Sequence, residues 1–248
     1  MHAELQASLR RALLRRPDVL SVGPFTVAFD SDSDSPFRNY AVPDDGARPT
    51  PAEVADLRSV FVARERLPRL EFLPAAAPVA EEALLRAGFV TDAQLPIMTC
   101  APAQLREVAP PHDMELGAVA GDALREAAAV QNAAYGGPPA TDADVARLAE
   151  TVAGGGVVGL AREASGRAVG SGLVTAPSDG LAELAAVGVL PEWRRRGIAV
   201  ALTGVLGRAA FDRGITTLML MAYEAEQGIY AQAGFTVASE IVFVSDPA

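Results

Sequence analysis

One pattern occurs twice in this chain. "RLEFL" followed by "EEALLRAGFV" (69–90) and "TLMLM" followed by "QGIYAQAGFT" (217–236) each read as an apolar strand, a helix closed by Ala-Gly-Phe and a further strand. Upstream of the first copy lie "NYAVP" and a helix opening at "TPAE", where Thr50, Pro51 and Glu53 form a capping signature. They parallel "VGVLP" and a helix beginning at Gly197. A repeated strand–helix–strand order predicts an α/β (α+β) chain with two related lobes.

The second copy is the fuller one. Before it the pattern predicts a strand at about 113–117, helices over "GDALREAAAVQNAAY" and "TDADVARLAETVAG", and two strands around the "EASGR" turn. "LAELAAVGVL" follows as an apolar strand, and the helix from Gly197 to about Arg213 sets Ile198, Leu202, Val205, Leu206 and Ala209 on one face. Two stretches break the pattern: the acidic "DSDSDSPFRN" turn and "CAPAQLREVAPPHD", whose three prolines read as a domain linker. The expected domains are therefore residues 1–105 and 112–248. The leading "MHAELQASLRRALLRRP" reads as a docking or capping helix, with no apolar run long enough for export or membrane spanning.

Composition removes several kinds of chemistry. All 21 basic residues are arginine, so the chain can form no lysine Schiff base, has no phosphate-loop lysine and cannot acetylate its own side-chain amines. Formal net charge is −10, which disfavours nucleic acid and anionic membrane and favours amine ligands. Cys100 is the single cysteine and His2 and His112 are the two histidines, so no internal disulfide and no metal cluster are expected, and a reducing, cytoplasmic setting fits. Cys100 reads as a small core residue.

In "PEWRRRGIA" (191–199) a loop leaves a buried strand at Pro191 and starts a helix at Gly197. Unpaired N–H groups and the positive end of the helix converge there, a common way of holding a pyrophosphate. Gly197 and Ala199 are small enough to let a phosphate reach the amides, and Arg194, Arg195 and Arg196 add charge.

As a unit, "VGVLPEWRRRGIA" resembles the acetyl-CoA-binding motif of the GNAT acetyltransferase superfamily, V-x-V-x-P-x-x-[QR]-x-x-G-x-[GA], through Val187, Val189, Pro191, Arg194, Gly197 and Ala199. Tyr230, Gly234 and Phe235 match the family's Y-x-x-x-G-F. The resemblance implies a mixed, mostly antiparallel sheet flanked by helices, complete in the C-terminal domain and degenerate in the N-terminal copy. It implies acetyl-CoA as co-substrate, no metal, and transfer of the acetyl group to a primary amine of a small molecule or peptide. Val187, Gly188 and Val189 would offer backbone groups to the pantetheine, and Arg195, Arg196, Gly197, Ile198, Ala199 and Val200 the amides for the pyrophosphate.

Glu183, set in an apolar strand, would be the general base, and Tyr230 the acid for the leaving thiolate. Two simpler roles stay open: Glu183 facing solvent or an arginine, and Tyr230 packing against the cofactor sulphur. Many members carry asparagine where this chain has Tyr223, which leaves side-chain contacts to the pantetheine there in doubt. Tyr135 falls where it can line the acceptor pocket or close a helix. A non-catalytic acyl-CoA-binding module is the alternative function, and a homodimer is one assembly open to the chain. In the first copy, Asp44 and Asp45 stand where the loop should be basic and Leu84 takes the place of Tyr230, so one cofactor per chain is expected.

Overall fold

The computed structural model describes residues 2–247. The chain forms two compact units, Met1–Ile97 with Ala238–Ala248, and Met98–Val237. The first contains α1 (His2–Leu14), β1 (Asp18–Val22), β2 (Phe25–Phe29), β3 (Tyr40–Pro43), α2 (Pro51–Val62), β4 (Arg69–Phe72), α3 (Pro78–Arg86) and most of β5 (Val90–Cys100). β1, β2 and β3 run antiparallel, and β3 lies parallel to β4. The hairpin of β1 and β2, turned at Gly23 and Pro24, was not anticipated. Its signal is two short apolar runs flanking a Gly-Pro pair.

Thr50 caps α2 as anticipated. Its hydroxyl accepts from the Glu53 N–H at 3.3 Å while the Glu53 carboxylate accepts from the Thr50 N–H at 2.7 Å, and Pro51 opens the helix. Phe25, Leu57, Phe61, Leu70, Phe72 and Leu84 form the core of this unit.

The second unit contains β6 (Met114–Val119), α4 (Ala123–Ala134), α5 (Asp142–Ala153), β7 (Val157–Glu163), β8 (Ala168–Val174), β9 (Leu181–Val189), α6 (Ile198–Phe211), β10 (Thr217–Met221), α7 (Glu224–Gln232) and the start of β11 (Thr236–Ser245). β6 to β9 are antiparallel neighbours in chain order, and β9 lies parallel to β10. The two units thus repeat one order of elements, β-β-β-α-β-α-β, in which the third and fourth strands are the parallel pair.

Two expectations change. A division at residues 1–105 and 112–248 makes no provision for the final strand, whose residues 238–245 belong to the first unit and pair antiparallel with β4, Val242 opposite Phe72. The tail is fixed by the buried Asp246, whose N–H donates to Pro68 O at 2.9 Å and whose carboxylate pairs with Arg58.

The proline-rich segment, in turn, is partly a strap on the second unit and not only a linker. After a 3-10 turn at Pro102–Gln104, the Arg106 N–H donates to Ala233 O at 3.0 Å, Leu105 packs beside Gly207, and Glu107 pairs with Arg208 at 2.7 Å. This cover explains why α6 buries far more than the single face its spacing predicts, with Gly204 and Gly207 as well as Leu202 and Leu206 buried. Cys100 lies in the core, where burial pushes its thiol pKa up to about 11.

The Ala-Gly-Phe glycines answer different demands. Gly88 (φ 96°) and Gly234 (φ 102°) both sit in the left-handed region, but a Cβ on Gly88 meets nothing within 4 Å while one on Gly234 would lie 2.0 Å from the Gln104 carbonyl. Gly88→Ala should therefore lower unfolding stability by about 1–2 kcal/mol, the strain of a side chain at positive φ. Gly234→Ala should lose more than about 3 kcal/mol, because the strap must also move. Denaturant titration checks this, and equal losses would show that the strap yields at no cost.

Candidate active site

The site follows from where two parallel strands part. Pairing of β9 with β10 runs from Leu181–Thr217 to Glu183–Met219. Beyond it the β8–β9 register shifts between Ser171 and Leu173, and Ala186 takes a left-handed conformation at φ 52°. The extra residue bends β9, so that Val187, Gly188 and Val189 lie beyond its pairing with β10 while Gly188 and Val189 stay paired with Ser171 and Gly170 of β8.

These three residues form one wall of a cavity of about 700 Å³, with the 193–200 loop and helix start as a second wall and α7 as a third. α7 contributes Ala225, Glu226, Gly228, Ile229 and Gln232, of which Ala225, Gly228, Ile229 and Gln232 recur at the three-and-four spacing of one helical face.

The loop has the form of an anion cradle. Arg195 (φ 62°) and Gly197 (φ 80°) are both left-handed, a backbone sequence that turns successive N–H groups to one side. Nothing lies within 4 Å of a Cβ built on Gly197, so its positive φ, and not crowding, is what demands glycine. The first loop-closing bond of α6 runs from Ala201 N to Gly197 O at 3.1 Å, so the amides of Ile198, Ala199 and Val200 precede the helical ladder. Gly197 caps the helix with no side-chain bond.

The three arginines divide their work. The Arg194 guanidinium donates to Val189 O at 3.0 Å and Ala134 O at 2.7 Å, tying the end of α4 to the end of β9. Arg196 donates to Glu192 O at 3.1 Å, stacks over Trp193 at 4.6 Å, and is not among the cavity-lining residues. Arg195 lines the cavity with its side chain exposed.

Tyr135 both ends α4 and lines the cavity. Its hydroxyl donates to Val187 O at 3.1 Å although the residue is 65% exposed.

Tyr230 is half-buried on α7, next to the cavity-lining Ile229, with its ring edge-on to Phe235 at 6.2 Å. Burial, then Tyr135 and Glu226, holds its hydroxyl pKa well above the usual tyrosine range. Glu183 is half-buried, with its N–H donating to Thr175 Oγ1 at 2.9 Å and its carbonyl accepting from Thr175 N at 2.8 Å. Neither Tyr230 nor Glu183 is among the lining residues, so the structure brings the expected cofactor residues together more closely than the expected acid and base. Tyr223 caps α7 and is exposed, and it does not line the cavity. Among the described residues no group of three or more metal-binding side chains occurs, and no helix is long and apolar enough to cross a membrane.

This geometry accords with the comparisons. Residues 124–235 match the acetyltransferase (GNAT) family model, so this segment carries a GNAT-type domain. A GCN5-related N-acetyltransferase from Kribbella flavida is similar over 100% of this chain and 96% of its own, with 25% identity and a TM-score of 0.83. One from Sphaerobacter thermophilus covers 98% and 90%, with 18% identity and a TM-score of 0.69. A tandem GNAT protein from the clavulanic acid biosynthesis pathway covers 98% and 94%, with 16% identity and a TM-score of 0.59, and the repeated element order is consistent with such a tandem arrangement. Among curated proteins, no sequence matches.

The tether made by Arg194 depends on a planar fork reaching two carbonyls, which lysine cannot reproduce. Arg194→Lys should therefore speed amide exchange at the C-terminal end of α4 about as much as Arg194→Ala does, roughly ten-fold for one charged hydrogen-bonding group lost. Full protection in the lysine variant would show that charge alone suffices.

Proposed function

We propose that the second unit is an acetyl-CoA-dependent N-acetyltransferase acting on a primary amine of a small molecule or peptide. The observation that carries this reading is the cavity at the parting of β9 and β10, walled by freed strand backbone and by the amide-rich start of α6. Its donor set suits a long ligand with a diphosphate at one end and amides along its length: left-handed Arg195 and Gly197 with the amides of 198–200, then the backbone of 187–189. When bound, acetyl-CoA supplies the activated thioester. Arg194 holds the walls together and Arg195 adds charge at the mouth.

Glu183 is assigned to accept the amine proton, directly or through water, and Tyr230 to hold a proton at its hydroxyl for the departing thiolate. Tyr230 suits that task because its surroundings raise its pKa from 10.0, which keeps it protonated through and beyond the neutral range. A cytoplasmic setting, the absence of a resident metal and a homodimeric assembly belong to the same reading. An acyl-CoA-binding module without turnover is the alternative, and release of free CoA in the presence of amine acceptors separates the two.

Two measurements test the roles. Gly197→Glu should weaken acetyl-CoA binding by at least about 100-fold, since a carboxylate and a strained backbone both enter the cradle, whereas Arg195→Ala should weaken it by less than about ten-fold. Equal, mild losses would reduce the loop to a charged surface.

Tyr230→Phe should lower turnover about 100- to 10,000-fold with acetyl-CoA affinity nearly unchanged. Because a raised pKa means the proton is retained until the pH climbs past the ordinary tyrosine value of 10.0, the residual activity should keep the wild-type rise of rate with pH. Glu183→Gln should flatten that rise. A Phe variant with full activity, or an unaltered profile in the Gln variant, would remove the residue concerned from the mechanism.

A further inference from the structure

In the second unit the parting of two parallel strands makes a cavity. In the first unit the equivalent strands, β3 and β4, pair at Ala41 and Leu70, and the ends of both are joined by a side chain. Gln6 of α1 is fully buried at 0% exposure. Its Nε2 donates to Pro43 O, at the end of β3, at 2.9 Å, and its Oε1 accepts from Leu73 N–H, just beyond β4, at 2.8 Å. The orientation of the amide is fixed by its partners, since Leu73 N–H can only donate and Pro43 O can only accept.

Arg10, one turn further along α1, also donates to Pro43 O at 3.2 Å and to Asp45 Oδ1 at 2.6 Å, and lies 3.9 Å from Asp44 Oδ1. Laying "NYAVP" over "VGVLP" sets Pro43 on Pro191, so the counterpart of the arginine loop opens on two acidic residues, Asp44 and Asp45, and has Gly46 and Ala47 in the places of Arg194 and Arg195. α1 packs on β2 and β3 as α4 packs on β8 and β9, and its side chains reach across where those of α4 leave space.

We infer that α1 is a resident occupant of the first unit's counterpart of the cofactor cleft. The primary amide of Gln6 takes the backbone donor and acceptor that an amide-bearing ligand would use, and Arg10 pairs with the acidic start of the loop. The helix face that does this, Leu5, Gln6, Leu9 and Leu13, is buried, so an outside ligand would find the Pro43 carbonyl and the Leu73 N–H already paired.

The test reads hydrogen exchange at the Leu73 amide in the full-length chain. Gln6→Met keeps length and helix propensity but removes both bonds, and Leu73 should exchange about ten-fold faster or more while the α2 amides from Val54 to Leu57 stay protected. Gln6→Glu can make both bonds only while its carboxyl is protonated. Ionised, the carboxylate loses its donor, is set against the Pro43 carbonyl and is desolvated, which should lift α1 from the strand ends. Leu73 protection, corrected for intrinsic rates, should therefore fall as pH rises, while wild-type protection should not.

Unchanged protection in Gln6→Met, or pH-independent protection in Gln6→Glu, would overturn the inference. If Gln6→Met does not fold, the pH series on Gln6→Glu decides alone. The readout lies in the first unit, so it stands or falls independently of whether the second unit binds acetyl-CoA.

Discussion

The second unit is organised around a pairing that stops. β9 and β10 keep a parallel register for three residue pairs and then part, because the left-handed Ala186 inserts an extra residue into β9 against β8. A buried parallel pair normally continues until the chain turns. Here the bulge ends it early, and the backbone it releases faces the start of α6 and one face of α7. Without that interruption Val187 to Val189 would be paired on the β10 side as well, and the amides at Ile198 to Val200 would face no open space. The tie from Arg194 to Val189 and Ala134 then keeps the opened edge from drifting.

The first unit begins from the same order of elements and reaches a different end. The ends of its parallel strands are joined through Gln6, its loop opens on two acidic residues beside Arg10, and Leu84 packs in the core where the other copy carries a phenol. The same order of elements thus carries different groups at its strand ends, according to the side chains that the preceding helix presents there.

Local features were legible from the residues. The capping box at Thr50, the helix from Gly197 and the strands of the second unit are all properties of neighbours in sequence, and the structure places each where it was expected. What was not legible depends on distant partners. "CAPAQLREVAP" has no periodicity, so it reads as a linker, and only its docking on Gly207 and Ala233 makes it a strap. Arg194 reads as charge for a phosphate, yet the carbonyl it reaches at Ala134 lies 60 residues away in the chain. Gln6 reads as one polar residue on an amphipathic helix, and nothing local indicates that both ends of its amide are spoken for.

The path of the last strand bears on how the protein is made. Residues 238–245 stand between β4 and β5 in the first unit, and Asp246 closes it against Arg58 and Pro68. The unit that comes first in sequence is thus completed by residues that follow the whole of the second unit. Until they are made, the facing edges of β4 and β5 have no partner, a state in which exposed strand edges invite association with other nascent chains. Synthesis of residues 238–245, rather than of the first hundred, is the step after which the first unit can close.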